Sequence, residues 1–233
     1  MRKTDKRIFC VGVDAPEVIA YLESRGEAVL AVERDEVLPG PLKSHADLQV
    51  FPLAGGTVLV NSRQKRLTEA LRAEGFDVLP VDDIGSSYPA DCRLNGFMLN
   101  DRIVGNRKCL SRELLDRFDL INVNQGYARC SSIVLSGDTV FTDDISIFNR
   151  LSSEEGIDCR CFPQEEIVLK GYDKGFLGGC YGLISRNEIL FSGDPSSLSN
   201  GQELIEALKE KGASIVCLSS SVPYDFGGIV VLS

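Results

Sequence analysis

The stretch Leu48–Val81, LQVFPLAGGTVLVNSRQKRLTEALRAEGFDVLPV, holds two apolar runs around a glycine turn, then a helical segment, then a third apolar run. LQVFPL from Leu48 reads as a strand, Ala54-Gly55-Gly56 as a turn, and TVLV from Thr57 as the returning strand of a hairpin. Residues 64–74 have helical spacing, Gly75 closes that helix, and FDVLPV from Phe76 is a third strand. The unit is strand, strand, helix, strand. Its internal hairpin separates it from an ordinary open α/β sheet with βαβ crossovers, the competing reading, which has one strand per helix.

The same order recurs along the chain. LNGFML from Leu94, a turn at Asn100-Asp101, RIV from Arg102, a helix over 111–117 and FDLINV from Phe118 make a second unit. SIVL after Cys130, a turn at Ser136-Gly137-Asp138, TVFT, a helix over 145–155 and IDCRCF from Ile157 make a third. YGLIS from Tyr181, a turn at Arg186-Asn187, EILF, a helix over 201–211 and ASIVCL from Ala213 make a fourth. Asn200 and Glu203 suit the cap and third position of that last helix, and Gly212 ends it. A spacing of roughly 40 to 50 residues is that of a repeat architecture.

The two ends of the chain supply the fifth unit between them. GIVVL from Gly228 is a lone first strand, while RIFCV from Arg7, a helix begun by Asp14 and ended at Gly26, and AVLAVE from Ala28 are the parts it lacks. A unit split in this way has a physical purpose only in a closed ring, where pairing last strand with first removes two sheet edges. The expectation is a single α/β domain over 1–233, a five-fold pseudosymmetric propeller of ββαβ units with helices outside. The helices exclude an all-β propeller.

Composition narrows the class further. The apolar fraction of 43% and charged fraction of 25% are those of a globular protein with a sizeable core. A net charge of -9 argues against nucleic acid and against anionic membranes as partners. The charged start, Met1 to Arg7, fits neither a signal peptide nor a span, which implies a cytoplasmic location. Eight scattered cysteines then read as reduced thiols, with Cys10 and Cys217, inside apolar runs, expected to be buried.

The segments SHADLQVFPL at Ser44, VNQGYARCS at Val123, VFTDD at Val140, GFLGGCYGL at Gly175 and DFGGIVVL at Asp225 resemble an uncharacterised bacterial family with the pentein fold. That fold belongs to the guanidino-group-modifying enzymes: arginine and agmatine deiminases, dimethylarginine hydrolases and amidinotransferases. The resemblance implies a cysteine near the C-terminus that attacks the guanidinium carbon, a histidine that moves protons, and carboxylates that clamp the planar cation. Here Gly227 and Gly228 stand where that cysteine is expected, and none follows Cys217. The histidine would come from the unit beginning near Gly126, which offers Gln125 and Tyr127 instead.

Ring symmetry directs the residues before each first strand toward one axial mouth. The candidates are His45 and Asp47, Asp91 and Cys92, Arg129 and Cys130, Cys180, and Asp225. His45, the sole histidine, and Asp47 read either as a base and a ligand-orienting carboxylate at that mouth or as a surface turn. Cys130 reads either as a replacement nucleophile activated by Arg129 or His45, or as packing, and Cys180 likewise. Asp143 and Asp144 precede a helix, so an N-cap is the favoured role over a guanidinium or metal ligand. Cys159 and Cys161 lack the further ligands a zinc site needs, and Gly178-Gly179 is not a strand-to-helix phosphate loop, so neither metal nor nucleotide cofactor is expected.

Two functional expectations follow. One is binding or modification of a small guanidino or amidine compound held by Asp47, Asp91 and Asp225, as a divergent amidinohydrolase- or amidinotransferase-like C–N enzyme if it is catalytic. The alternative is a non-catalytic protein-interaction module, for which the ribosome anti-association factor with the same ring is the precedent.

Overall fold

The structure, a computed structural model, describes residues 7–233 apart from the side chain of Ser136. The charged stretch Met1–Arg7 therefore lies outside the described residues except for Arg7. In chain order the elements are β1 (Ile8–Gly12), α1 (Pro16–Ser24), β2 (Ala28–Val32), α2 (Ala46–Gln49), β3 (Val50–Pro52), β4 (Thr57–Asn61), α3 (Lys65–Ala73) and β5 (Asp77–Val81). They continue as β6 (Phe97–Leu99), β7 (Arg102–Gly105), α4 (Arg112–Leu115), β8 (Asp119–Asn122), β9 (Ser132–Ser136), β10 (Thr139–Thr142), α5 (Ile145–Leu151) and β11 (Asp158–Cys161). The last are β12 (Tyr181–Leu183), β13 (Glu188–Phe191), α6 (Gly201–Glu210), β14 (Ser214–Cys217) and β15 (Val230–Leu232).

These strands form five separate three-stranded sheets: β3-β4-β5, β6-β7-β8, β9-β10-β11, β12-β13-β14 and β15-β1-β2. In each, the first two strands are antiparallel and the last two parallel, as a hairpin followed by a helical crossover requires. The split unit closes as expected. β15 pairs with β1 through Ile8↔Leu232, Phe9↔Val231 and Cys10↔Val230.

Packing shows why the sheets form a ring. Five apolar clusters each straddle neighbouring units, and together they join first to second, second to third, third to fourth, fourth to fifth and fifth to first. Each helix sits on the seam with the preceding unit: Leu67 and Leu71 of α3 pack with Ile8 and Val230, and Leu204 and Leu208 of α6 with Ile133 and Phe141. An i, i+4 pair on one face is what the helical period predicts. Burying each such leucine contributes about 1.5–3 kcal/mol, so the stability is spread around the circle.

Local chemistry sets the boundaries. α1, α3 and α6 end on Gly26, Gly75 and Gly212, all with positive φ, and the following amides of Glu27, Phe76 and Ala213 donate back to Leu22, Leu71 and Leu208. That is the Schellman closure, which a left-handed glycine permits. Asp144 caps α5 by accepting from the amides of Ser146 and Ile147.

Several expectations are corrected. Leu48 and Gln49 begin no strand; they lie in α2, turned by the Asp47 amide donating to the Gly227 carbonyl. Leu94 and Asn95 likewise precede β6. α1 is capped by Ala15, because Asp14 instead takes Arg34 and the Ser44 hydroxyl. Asn200 precedes α6 without a side-chain cap, its amide donating to the Pro163 carbonyl. Cys217 is exposed rather than buried, since β14 is the outer strand of its sheet; Cys10 is buried. Helix ends fall one to four residues inside the expected ranges, most in α5, which stops at Leu151.

Candidate functional site

The loops that lead into the five first strands carry most of the chemistry. At the start of α2, His45 and Asp47 are both 2% exposed. Cys130 precedes β9, and its thiol donates to Asp47 Oδ2 at 2.8 Å. Asn95 locks the two together: its Nδ2 donates to Cys130 Sγ at 3.0 Å and to the Asp47 carbonyl at 3.2 Å, while its Oδ1 accepts from the amides of Arg129 and Cys130. Three units meet on that one amide side chain.

The electrostatics of the contact follow from burial. Desolvation lifts Asp47 to about 6, against the favourable charge of His45. Burial, and then the negative charges of Asp47 and Asp225, hold the Cys130 thiol well above its ordinary range. A thiol so placed is a hydrogen-bond donor, not a nucleophile poised near neutral pH.

Asp225 comes from the loop before β15. Its Oδ2 accepts from the Phe176 amide and its Oδ1 from the Gly227 amide, both at 3.0 Å. Oδ1 also lies 3.7 Å from His45 Nδ1, beyond hydrogen-bond length, and that imidazole nitrogen has no hydrogen-bond partner among the described residues. Glycines make the approach possible. A Cβ on Gly179 would stand 2.0 Å from Asp225 Oδ1, and one on Gly227, whose φ is +80°, would stand 2.4 Å from His45 Cα. The position where the family resemblance expects a cysteine thus has no room for a side chain while His45 keeps its place.

His45, Cys130 and Asp225 border one cavity of about 410 Å³ with Leu42, Leu48, Tyr127, Leu169, Tyr172 and Phe176. Tyr127 and Phe176 stack there, ring centroids 5.8 Å apart. Glu165, Asp173 and Lys174 complete the lining, from the long connection between β11 and β12. A wider hollow of about 770 Å³, bordered by Asp14, Arg34, Lys43 and Lys170, also reaches His45 and Asp225.

The remaining candidates are elsewhere. Asp91 reaches the cavity only through the Tyr127 hydroxyl, which donates to its Oδ2 at 2.8 Å. Cys92 is fully buried and its thiol donates to the Pro89 carbonyl at 3.3 Å, while its proximity lowers the Cys109 thiol to about 7. Arg129 turns away to lie over the Tyr181 ring, on the far side of the Asp47–Cys130 contact. Cys180 is enclosed and donates to the Leu177 carbonyl at 3.0 Å. Asp143 accepts from the Leu177 amide, and burial raises it to about 7. Among the described residues, no group of three or more His, Cys, Asp or Glu side chains is arranged to hold a metal.

Residues 12–230 match the model of DUF6873, a family of unknown function. The chain belongs to that family. No curated protein matches it in sequence. Among solved structures it is similar to SxtG, an amidinotransferase from Microseira wollei in the saxitoxin biosynthetic pathway, at 14% identity, TM-score 0.57, over 88% of this chain and 76% of that one. It is also similar to a dimethylarginine dimethylaminohydrolase from Pseudomonas aeruginosa complexed with citrulline, at 10% identity, TM-score 0.57, over 91% and 92%. A third is the inosamine-phosphate amidinotransferase from Streptomyces griseus, at 14% identity, TM-score 0.56, over 91% and 75%. At such identities the likeness is one of fold, and the DUF6873 ring is a pentein fold.

Sequence reasoning passed over Asn95, whose signal is weak because a lone Asn before a strand usually marks a turn. It also passed over Tyr172 and Phe176. An aromatic in a long connection has no periodicity to place it, and only the fold brings Phe176 against Tyr127 and Tyr172 to the same cavity.

Proposed function

We propose that this DUF6873 chain binds a small guanidino or amidine compound in the cavity bordered by His45 and Asp225. The observation that carries the reading is the pairing of the buried Asp225 carboxylate with the flat Tyr127–Phe176 stack. A planar delocalised cation lies on an aromatic face and accepts in-plane clamping by carboxylate, a combination that ammonium ions and neutral ligands use less well. His45 offers its unpartnered Nδ1 beside the ligand, Asp91 fixes Tyr127, and Asp47 holds the Cys130 thiol in the floor. Support also comes from the fold neighbours, two of them amidinotransferases and one a dimethylarginine dimethylaminohydrolase complexed with citrulline. The ring is read as one domain, and the acidic chain with free thiols suits the cytoplasm.

Covalent chemistry from the C-terminal loop has no place in this reading, because Gly227 faces the His45 backbone without space for a thiol. That same crowding favours the second reading, a non-catalytic interaction module on the pentein ring. The test is a thermal-shift screen with arginine, agmatine, creatine and methylarginines, since a ligand bound only to the native state must raise its melting temperature. One of them stabilises the protein, and Phe176→Leu, which removes the flat face, abolishes the shift. If none does, the guanidino reading falls and the interaction module stands.

A further inference from the structure

A second cavity, of about 430 Å³, lies beyond the Asp47–Cys130 contact, and the first strands of all five units contribute to its wall. Its apolar surface comes from Phe51, Phe97, Met98, Leu183 and Val231. One cation is set into it. Arg129 lies over the Tyr181 ring, 5.0 Å from the centroid, and Nη1 donates to the Ser132 carbonyl at 3.1 Å. Tyr181 is itself held, its hydroxyl accepting from the Val134 amide. The guanidinium is therefore fixed in position before any ligand arrives.

We propose that this cavity binds a small organic anion, a carboxylate on an apolar chain or ring, with Arg129 as its anchor. Among the described residues, Nε and Nη2 of Arg129 make no hydrogen bond and no carboxylate stands within salt-bridge distance of the guanidinium, although its charge acts on Asp47. A guanidinium presents a planar fork of donors suited to a carboxylate. The other arginine at the rim, Arg7, already has Glu27 and the Ile184 carbonyl. Asp47 borders the cavity too, but its Oδ2 takes the Cys130 thiol and its Oδ1 is enclosed by protein.

Charge and surface together select the ligand. A cation would meet Arg129 head-on, and a neutral apolar molecule would strip water from the guanidinium without replacing its hydrogen bonds. An amphipathic anion satisfies both the fork and the apolar wall, and the volume falls within the ~300–1,000 Å³ of small-molecule sites. The proposal is independent of what the His45 cavity binds, since a buried contact between Asp47 and Cys130 separates the two.

The experiment is calorimetric titration of the full chain with phenylbutyrate, with phenylbutanol and phenylbutylamine as neutral and cationic counterparts. Phenylbutyrate binds saturably, its counterparts at least about tenfold more weakly, a difference of ~1.4 kcal/mol. Arg129→Met loses the same factor, Met98→Trp fills the cavity and abolishes binding, and Phe176→Leu in the other cavity leaves it unchanged. No binding to the native chain, equal binding of the alcohol, or undiminished binding to Arg129→Met overturns the proposal. Should Arg129→Met fail to fold, undiminished binding to Met98→Trp overturns it alone.

Discussion

Replacing Gly227 by alanine tests the packing around His45 directly. The residue has φ +80°, where an L side chain costs about 1–2 kcal/mol in local strain. Its new Cβ would also stand 2.4 Å from His45 Cα and 2.5 Å from His45 Cβ and Cγ, so one of the two loops must shift. Overpacking of that kind costs about 1–3 kcal/mol, and the sum is ~2–5 kcal/mol. Gly156→Ala is the matched control. It carries φ +77° and, among the described residues, nothing beyond its own chain neighbours lies within 4 Å of the added Cβ, so it bears the strain without the collision. Urea denaturation of both variants, compared at a common slope, isolates the difference. Gly227→Ala is the less stable by about 1–3 kcal/mol. If the two are equally stable, His45 is not wedged against the loop before β15, and the argument that a cysteine cannot be accommodated there is wrong.

Three further outcomes are expected. Leu232→Ala, at 1% exposure in the seam that closes the ring, costs about 2–5 kcal/mol in the same assay; a loss below about 1 kcal/mol would mean closure contributes little. Under native alkylation near neutral pH, mass mapping finds Cys217 labelled well before Cys130, and preferential labelling of Cys130 would restore it as a nucleophile. Asp143 is raised from 3.8 to about 7, so the folded state binds the extra proton and this group's contribution to stability is lost as pH rises from about 4 to about 7. Asp143→Asn is accordingly less sensitive than the native chain to raising pH across that window, and a parallel pH profile for the two proteins would refute it.

The repeat was legible because hydrophobic period and glycine punctuation agree at every unit: TVLV and EILF are β4 and β13 to the residue, or within one, and Gly26, Gly75 and Gly212 stop three helices. Ends of elements were less so. Leu48 belongs to an apolar run in sequence, yet a long-range hydrogen bond from the Asp47 amide to Gly227 turns it into a helix. The site was legible to the level of which loops meet. Nothing local could separate Arg129 from Cys130, adjacent residues that face different cavities, since the direction of each is set by Asn95 and Tyr181, distant in sequence. Asp14 illustrates the same limit, an evident cap whose carboxylate is claimed by Arg34.

The division of the fifth unit between the chain's two ends has a kinetic side. A growing polypeptide can complete the sheets from β3 to β14 in order, but β1 must wait for β15 to emerge with Val230–Leu232. Until then β1, paired with β2 on one side, leaves its other edge open at Phe9 and Cys10, a hazard for association with other chains. Final closure joins the most distant parts of the sequence, the slowest kind of contact to find, so the last strand acts as a latch set after everything else is in place.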